Sequence, residues 1–254
     1  QIAFHSESDK RIKRVALAGG PLETVTEADR FAGGSWNAED VILFSDVNSV
    51  VRVPASGGKP VAVTVLDRTR GDDAHLGPRF LPGGRSFLFL RASGNPERAG
   101  VYVGSIDQPP DQQNGTRLLD AQQVPAFAPG PDGEGRILFA RGGVLMAQRF
   151  DARSLQLEGM ATAVIDEPVT TYSFLQSVSV SSNGTLIYMR GTDSSGTPSL
   201  VDRVRGARAG LVLLNAAKAY CRRRHGVPLT PALWRIFRWT TRFSTASPAS
   251  SRPR

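Results

Sequence analysis

Five short apolar runs, each ending in an aromatic residue, recur along the first 200 residues. They are Ile2-Ala3-Phe4, Ile42-Leu43-Phe44, Phe87-Leu88-Phe89, Ile137-Leu138-Phe139 and Leu186-Ile187-Tyr188, and their aromatic positions are 40, 45, 50 and 49 residues apart. A period of this length constrains the fold more than any other feature, because a recurring unit must bury its apolar surface against its own copies. Eight to twelve residues ahead of four of these aromatics stands another bulky apolar residue, Trp36, Phe80, Phe127 or Val180. Between the two lie turn formers: Pro82-Gly83-Gly84, residues 129–133, and Asn183-Gly184. Gly-Gly and Asn-Gly reach positive φ cheaply, as tight hairpins require.

A second element follows the first two runs. Residues 14–26 (RVALAGGPLETVT) align with residues 52–64 (RVPASGGKPVAVT) at a constant offset of 38, with six of thirteen positions identical. The third copy is looser, with Val101-Tyr102-Val103 and Thr116 to Leu119 as its strands; Val144 to Phe150 and Ala161 to Ile165 fill the same places in the fourth. Each unit reads as four strands of four to six residues joined by Gly-, Pro- and Asn-rich turns. No long amphipathic helix separates the strands, which excludes a parallel α/β sheet. Four strands per 40 to 50 residues is the signature of a blade, so the fold class is all-β, a β-propeller of four-stranded blades. A β-sandwich with chance spacing is the alternative. Phe44, Phe89 and Phe139 are core anchors between neighbouring blades on this reading.

These residues carry a family resemblance. The pattern of apolar residue, turn, Ile-Leu-Phe and then Arg-Val-Pro-x-x-Gly-Gly-x-Pro resembles the TolB-like, WD40-like propeller repeats of bacteria. Its Ser-Pro-Asp-Gly turn survives in degraded form as residues 128–133, as Leu81-Pro82-Gly83-Gly84 and as residues 181–184. Residues 80–85 and 52–58 resemble the propeller region that follows the kinase domain in certain bacterial serine/threonine protein kinases. The resemblance covers residues 1–200. It implies a six-bladed propeller, a sensory or scaffold role beside a kinase or in the envelope, and a periplasmic or extracytoplasmic location.

About five blades are represented, near residues 1–32, 33–76, 77–123, 124–175 and 176–200, the first and last incomplete. Unit 1 lacks its first strand, and unit 5 offers strands at Val178 to Val180, Leu186 to Tyr188 and near Ser199 to Val201. The expected arc is open, with terminal sheet faces that favour association. The chain starts at Gln1 without a basic-then-apolar leader, as an internal fragment or processed product would.

Residues 201–254 differ in kind. They hold 11 Arg, one Lys, one acid (Asp202), the only Cys (Cys221) and two of the three Trp, so their charge is +11 against −3 for the rest. The net +8 therefore belongs to this tail, and a single cysteine excludes an internal disulfide. Helices are expected over 207–224 and from Thr230, with Pro231 at the first helical position. Three readings stand: a basic amphipathic segment for an anionic membrane or nucleic acid, a small second domain, or text from a shifted reading frame, which the mid-repeat break favours.

Chemistry is sparse. The chain has no Gly-x-Ser-x-Gly elbow, no phosphate-binding glycine loop, no His-Arg-Asp and no Asp-Phe-Gly. No catalytic, cofactor or metal residue is assigned, no cofactor is expected, and the chain reads as not an enzyme. Asp72-Asp73-x-His75 has ligand types, but between Arg70 and Gly77 it reads as a solvated polar loop. Arg70-Gly71-Asp72 reads as chance, and the sequons at Asn114 and Asn183 as hairpin turns. Candidate contact loops are Ala92 to Gly100, Asp107 to Gly115 and Glu167 to Gln176. The expected function is a non-catalytic binding or scaffold propeller whose partner is a protein or small ligand on a propeller face or channel. Nucleic acid or membrane enters only through a genuine tail. The alternatives are a propeller detached from a serine hydrolase and a tail-driven membrane or nucleic-acid binder.

Overall fold

The computed structural model describes residues 1–113, 117–130, 134–164, 178–180, 186–189 and 200–201. The expected tail helices, the 167–176 loop and both sequon asparagines lie outside these residues.

The described residues form five antiparallel sheets in chain order. The first holds β1 (Ile2–Ser6), β2 (Arg11–Val15) and β3 (Glu23–Glu27); the second β4 (Phe31–Trp36), β5 (Val41–Asp46), β6 (Ser49–Pro54) and β7 (Val61–Ala62). The third holds β8 (Asp72–Phe80), β9 (Ser86–Ser93), β10 (Gly100–Ser105) and β11 (Arg117–Leu119). The fourth holds β12 (Ala126–Pro129), β13 (Glu134–Arg141), β14 (Val144–Asp151) and β15 (Gln156–Ala163); the fifth β16 (Val178–Val180), β17 (Leu186–Met189) and β18 (Leu200–Val201). Every sheet is an up-and-down meander, and the first strands of neighbouring sheets touch, β4 on β8 and β12 on β16. This is a β-propeller of four-stranded blades, the first sheet holding three strands among the described residues. Among the described residues the only helical segments are two 3-10 turns, at Arg68–Arg70 and Pro110–Gln112.

The anchor triplets are apolar throughout because both faces of each blade are covered. Side chains alternate across a strand, so the first and third residues of a triplet face one way and the second faces the other. Ile42 and Phe44 join Ala3, Ile12 and Val25 between blades 1 and 2. Leu43 points the opposite way and meets Phe87, Phe89 and Tyr102 between blades 2 and 3. Leu88 then packs with Ile137, Phe139 and Phe150 between blades 3 and 4, and Leu138 with Val178 and Leu186 between blades 4 and 5. The aromatic of each of these triplets therefore faces the preceding blade. Phe44 and Phe89 are fully buried.

Register follows the anchors. Trp36 pairs with Ile42, Phe80 with Phe87, Phe127 with Ile137 and Val180 with Leu186, the first residue of each triplet. The repeat extends to dihedral angles: Gly19 and Gly20 have φ of 90° and 137°, and their counterparts Gly57 and Gly58 have 105° and 139°. Strand lengths depart from expectation. β8 runs nine residues and β9, β13, β14 and β15 eight each, longer than four to six, because β8 and β14 absorb register shifts as bulges and continue.

Candidate functional site

Strand β8 is the innermost strand of blade 3, and its free edge is satisfied by blade 2. His75 N donates to Asn48 O at 2.8 Å, Gly77 N to Ser45 Oγ at 2.9 Å and Phe80 N to Ser35 Oγ at 3.0 Å. Buried backbone groups need such partners. At the middle of the strand, Gly77 sits at a point of convergence. A Cβ there would lie 2.3 Å from Val124 Cγ1, and a Cβ on Gly33 of β4 would lie 3.3 Å from Gly77 Cα. Ala32, Ala74, Leu76, Leu90, Ala92 and Val124 form an apolar layer at this level.

The start of β8 carries a buried polar cluster. Asp72 and His75 are 2% and 1% exposed, so residues 72–77 are strand rather than the solvated loop expected from sequence. The physical reason is a countercharge from far along the chain. Arg98 donates to Asp72 Oδ1 through Nε at 3.1 Å and Nη2 at 2.9 Å, and Asp67 N donates to Oδ2 at 3.2 Å. Arg91 Nε and His75 Nε2 each stand 3.7 Å from Oδ2. Arg91 lies over the Tyr102 ring at 4.1 Å, and Tyr102 Oη donates to Arg98 O at 2.8 Å. Burial, reinforced by the Arg91 charge, pushes the His75 imidazole down to about 4 from its ordinary 6.5, so it is neutral at pH 7. Asp73 faces solvent, away from Asp72, so the three ligand types of Asp-Asp-x-His do not converge. Burial of Asp72 likewise removes Arg70-Gly71-Asp72 as an exposed tripeptide.

At the other end of β8, the hairpin turns make a charged rim. Arg85 pairs with Asp107 of its own blade, its Nε donating to Oδ2 at 2.8 Å, and reaches Glu39 Oε2 of blade 2 at 3.3 Å. Asn37 Nδ2 donates to Gly84 O at 3.0 Å across the same seam. The Asp107 hydrogen bond raises the Arg85 guanidinium further above its already high ordinary value. All three charged side chains are about half exposed.

The two described contact loops fall on opposite ends of the blade, and both are held. Residues 94–99 lie beside the Asp72 cluster, where Asn95 O accepts from the Arg98 and Ala99 amides. Residues 107–113 lie by the rim, pinned by buried Gln113, which bonds Ser105 N, Ser105 O and Gln108 O.

Sequence reasoning missed Arg79. Its guanidinium donates to Gly34 O, its Nε is buried without a partner, and no carboxylate among the described residues pairs with it. Burial alone lowers it to about 10, below the ordinary guanidinium value. A signal was present: the residues preceding the bulky first-strand positions are Ser35, Ala126 and Ser179 elsewhere, and Arg79 only here. A fourth feature, an open groove of about 520 Å³ at the seam of blades 1 and 2, is lined by Arg11, Thr24, Thr26, Glu27, Gly58, Lys59 and Pro60.

No protein-family model and no curated protein matches the chain. Solved structures do match. The chain is similar to the calcium-binding protein regucalcin from Agrobacterium tumefaciens, with a TM-score of 0.52 and 13% identity over 84% of this chain and 74% of that one. It is similar to a luciferin-regenerating enzyme, with a TM-score of 0.53 and 9% identity over 81% and 75%. A putative TolB from Agrobacterium tumefaciens gives a TM-score of 0.48 and 15% identity over 83% of each chain. The expectation that the chain is not an enzyme is corrected here. The luciferin-regenerating enzyme shows this fold supporting catalysis, and catalytic groups on a fold need not form the hydrolase and kinase motifs whose absence suggested otherwise. What the comparisons establish is the fold: the chain is a β-propeller.

Proposed function

We propose that this propeller acts by recognition at its rim, binding a polar protein surface with the hairpin turns at 37–40 and 81–85 and the loop at 105–113. The observation that carries this reading is the Glu39–Arg85–Asp107 bridge, which holds half-exposed charges in fixed positions across two blades. Side chains ordered before an encounter lose less freedom on binding, so a rigid charged rim favours a specific partner. The resemblance to TolB-like repeats suggests the setting, either the bacterial envelope or the region following a serine/threonine kinase domain.

The test is photo-crosslinking in the native host from an artificial residue at exposed Gln108, with exposed Met160 on strand β15 as control. A discrete partner captured from position 108, lost with Arg85→Glu and absent from position 160, is the expected result. Equal capture from both positions, or capture that ignores Arg85→Glu, would sink the reading.

A further inference from the structure

We infer that Arg79 anchors a site for a small oxyanion, a carboxylate or phosphate group, held against the innermost strands of blades 2 and 3. The inference concerns a different place from the rim and stands or falls separately.

Arg79 is the exception among the arginines of this core. Arg91 and Arg98 share the Asp72 carboxylate, and Arg117 has Asp120 at 2.8 Å. Arg79 has only a carbonyl, Gly34 O, among the described residues. Arg79 Nε is shut off from water with no partner among the described residues; such a donor on a cation is costly, and native interiors pair such groups or bind ions to them. A guanidinium has five N–H donors in a planar fork, and one carbonyl uses few of them. The rest match the two oxygens of a carboxylate or phosphate. Burial, which weakens the protonated form of Arg79, also strengthens its attraction for an anion that displaces water.

The surroundings limit the ligand's size. Below Arg79 along β8, the layer of Ala32, Ala74, Leu76 and Val124 closes the space where Gly33 and Gly77 nearly touch. Above it lies the turn at 81–84. Residues at the equivalent first-strand positions are small and uncharged, Ser35, Ala126 and Ser179, so among these four positions only the one in blade 3 carries a cation. Arg79 itself is only partly covered. A small molecule bearing one acidic group fits this description.

The experiment compares wild type with Arg79→Met by thermal melting and calorimetric titration, in low-salt buffer, with inorganic phosphate and with succinate as separate probes. Two signs are expected together. Without anion, R79M melts no lower than wild type, because an uncompensated charge is gone. With anion, wild type shows a saturable rise in melting temperature, while R79M shows at least a tenfold weaker dissociation constant and no saturable rise. Arg79→Lys, which keeps the charge but loses the fork, should fall between them. Response to phosphate alone or succinate alone identifies the acid class. The inference is overturned if neither probe saturates wild type below about 10 mM, where a bound ligand would have to stabilise the fold. It is also overturned if R79M is destabilised or unfolded without anion while wild type ignores both probes, since Arg79 is then a structural group. Arg85→Glu should leave anion binding unchanged, so failure at the rim and failure at Arg79 are distinguishable.

Discussion

Arg98 reaches back 26 residues to place two hydrogen bonds, 3.1 and 2.9 Å, on one oxygen of Asp72. The contact ties the turn after β9 to the first residue of the innermost strand. Because Asp72 is buried, removing Arg98 strips its carboxylate of two charge-assisted hydrogen bonds and leaves Arg91, at 3.7 Å, as the remaining arginine countercharge. Arg98→Met is expected to lose about 3–5 kcal/mol of stability in urea unfolding, the usual cost of breaking a buried pair on one side. The double variant Arg98→Met/Asp72→Asn should lose less than the sum of the single losses. Additive losses would show that the two side chains act independently.

His75 makes the acid limb of stability predictable in direction. Its folded value of about 4 lies below the ordinary 6.5, so between those values the unfolded chain binds a proton that the folded chain refuses. Stability is then fully present above about pH 6.5 and falls as the pH drops towards 4, by at most about 1.4 kcal/mol per pH unit. The groups facing the ring are Asp72, which opposes the shift, and Arg91 and Arg98, which reinforce it. In His75→Leu the slope over this window should shrink in denaturant titrations at successive pH values. An unchanged slope would assign acid sensitivity to other groups.

The anchors should behave as core. Phe89→Ala is expected to cost about 3–5 kcal/mol, since a buried ring is replaced by a cavity. Met160→Ala, at 89% exposure, should stay within about 0.5 kcal/mol of wild type. Equal melting temperatures for the two variants would mean that the seam between blades 2 and 3 is not packed as described.

Gly77→Ala tests the convergence of inner strands. The new methyl would meet Val124 Cγ1 at 2.3 Å on a backbone with φ of +56°. Overpacking costs about 1–3 kcal/mol, and left-handed strain adds roughly 1–2 kcal/mol. Val124→Ala in the same chain should return part of the overpacking share, since the Cβ it keeps still stands 2.9 Å from the new methyl, and none of the backbone share. Thermal unfolding of both variants gives the comparison, and absence of any rescue would remove Val124 as the obstruction.

The blades were legible because the anchor triplets are short, apolar on both faces and regularly spaced. What the spacing could not convey was direction: Phe44 faces blade 1 and Leu43 faces blade 3, and only the alternation of a placed strand assigns each to its seam. The Asp72 cluster was illegible for a different reason. Asp-Asp-Ala-His, set between Gly71 and Gly77-Pro78, has the composition of a turn, and its burial depends on Arg91 and Arg98 from the next hairpin. Local composition carries no record of such a partner. The missing hydrolase and kinase motifs were no ground for expecting no catalysis, because motifs report particular chemistries and a fold can host others.

Two glycine pairs share one backbone conformation in unlike surroundings. A Cβ at Gly19 or Gly20 would meet nothing within 4 Å, whereas at Gly57 it would meet Val25 O at 3.2 Å, and Gly58 N donates to that same oxygen at 3.2 Å. The bend is therefore written in the local chain and does not wait for a neighbour. Hairpins of this kind close in about 1–10 microseconds, well before distant segments meet. The Gly58–Val25 bond differs in kind: it is a latch between blades 1 and 2 that closes only when both of them already exist.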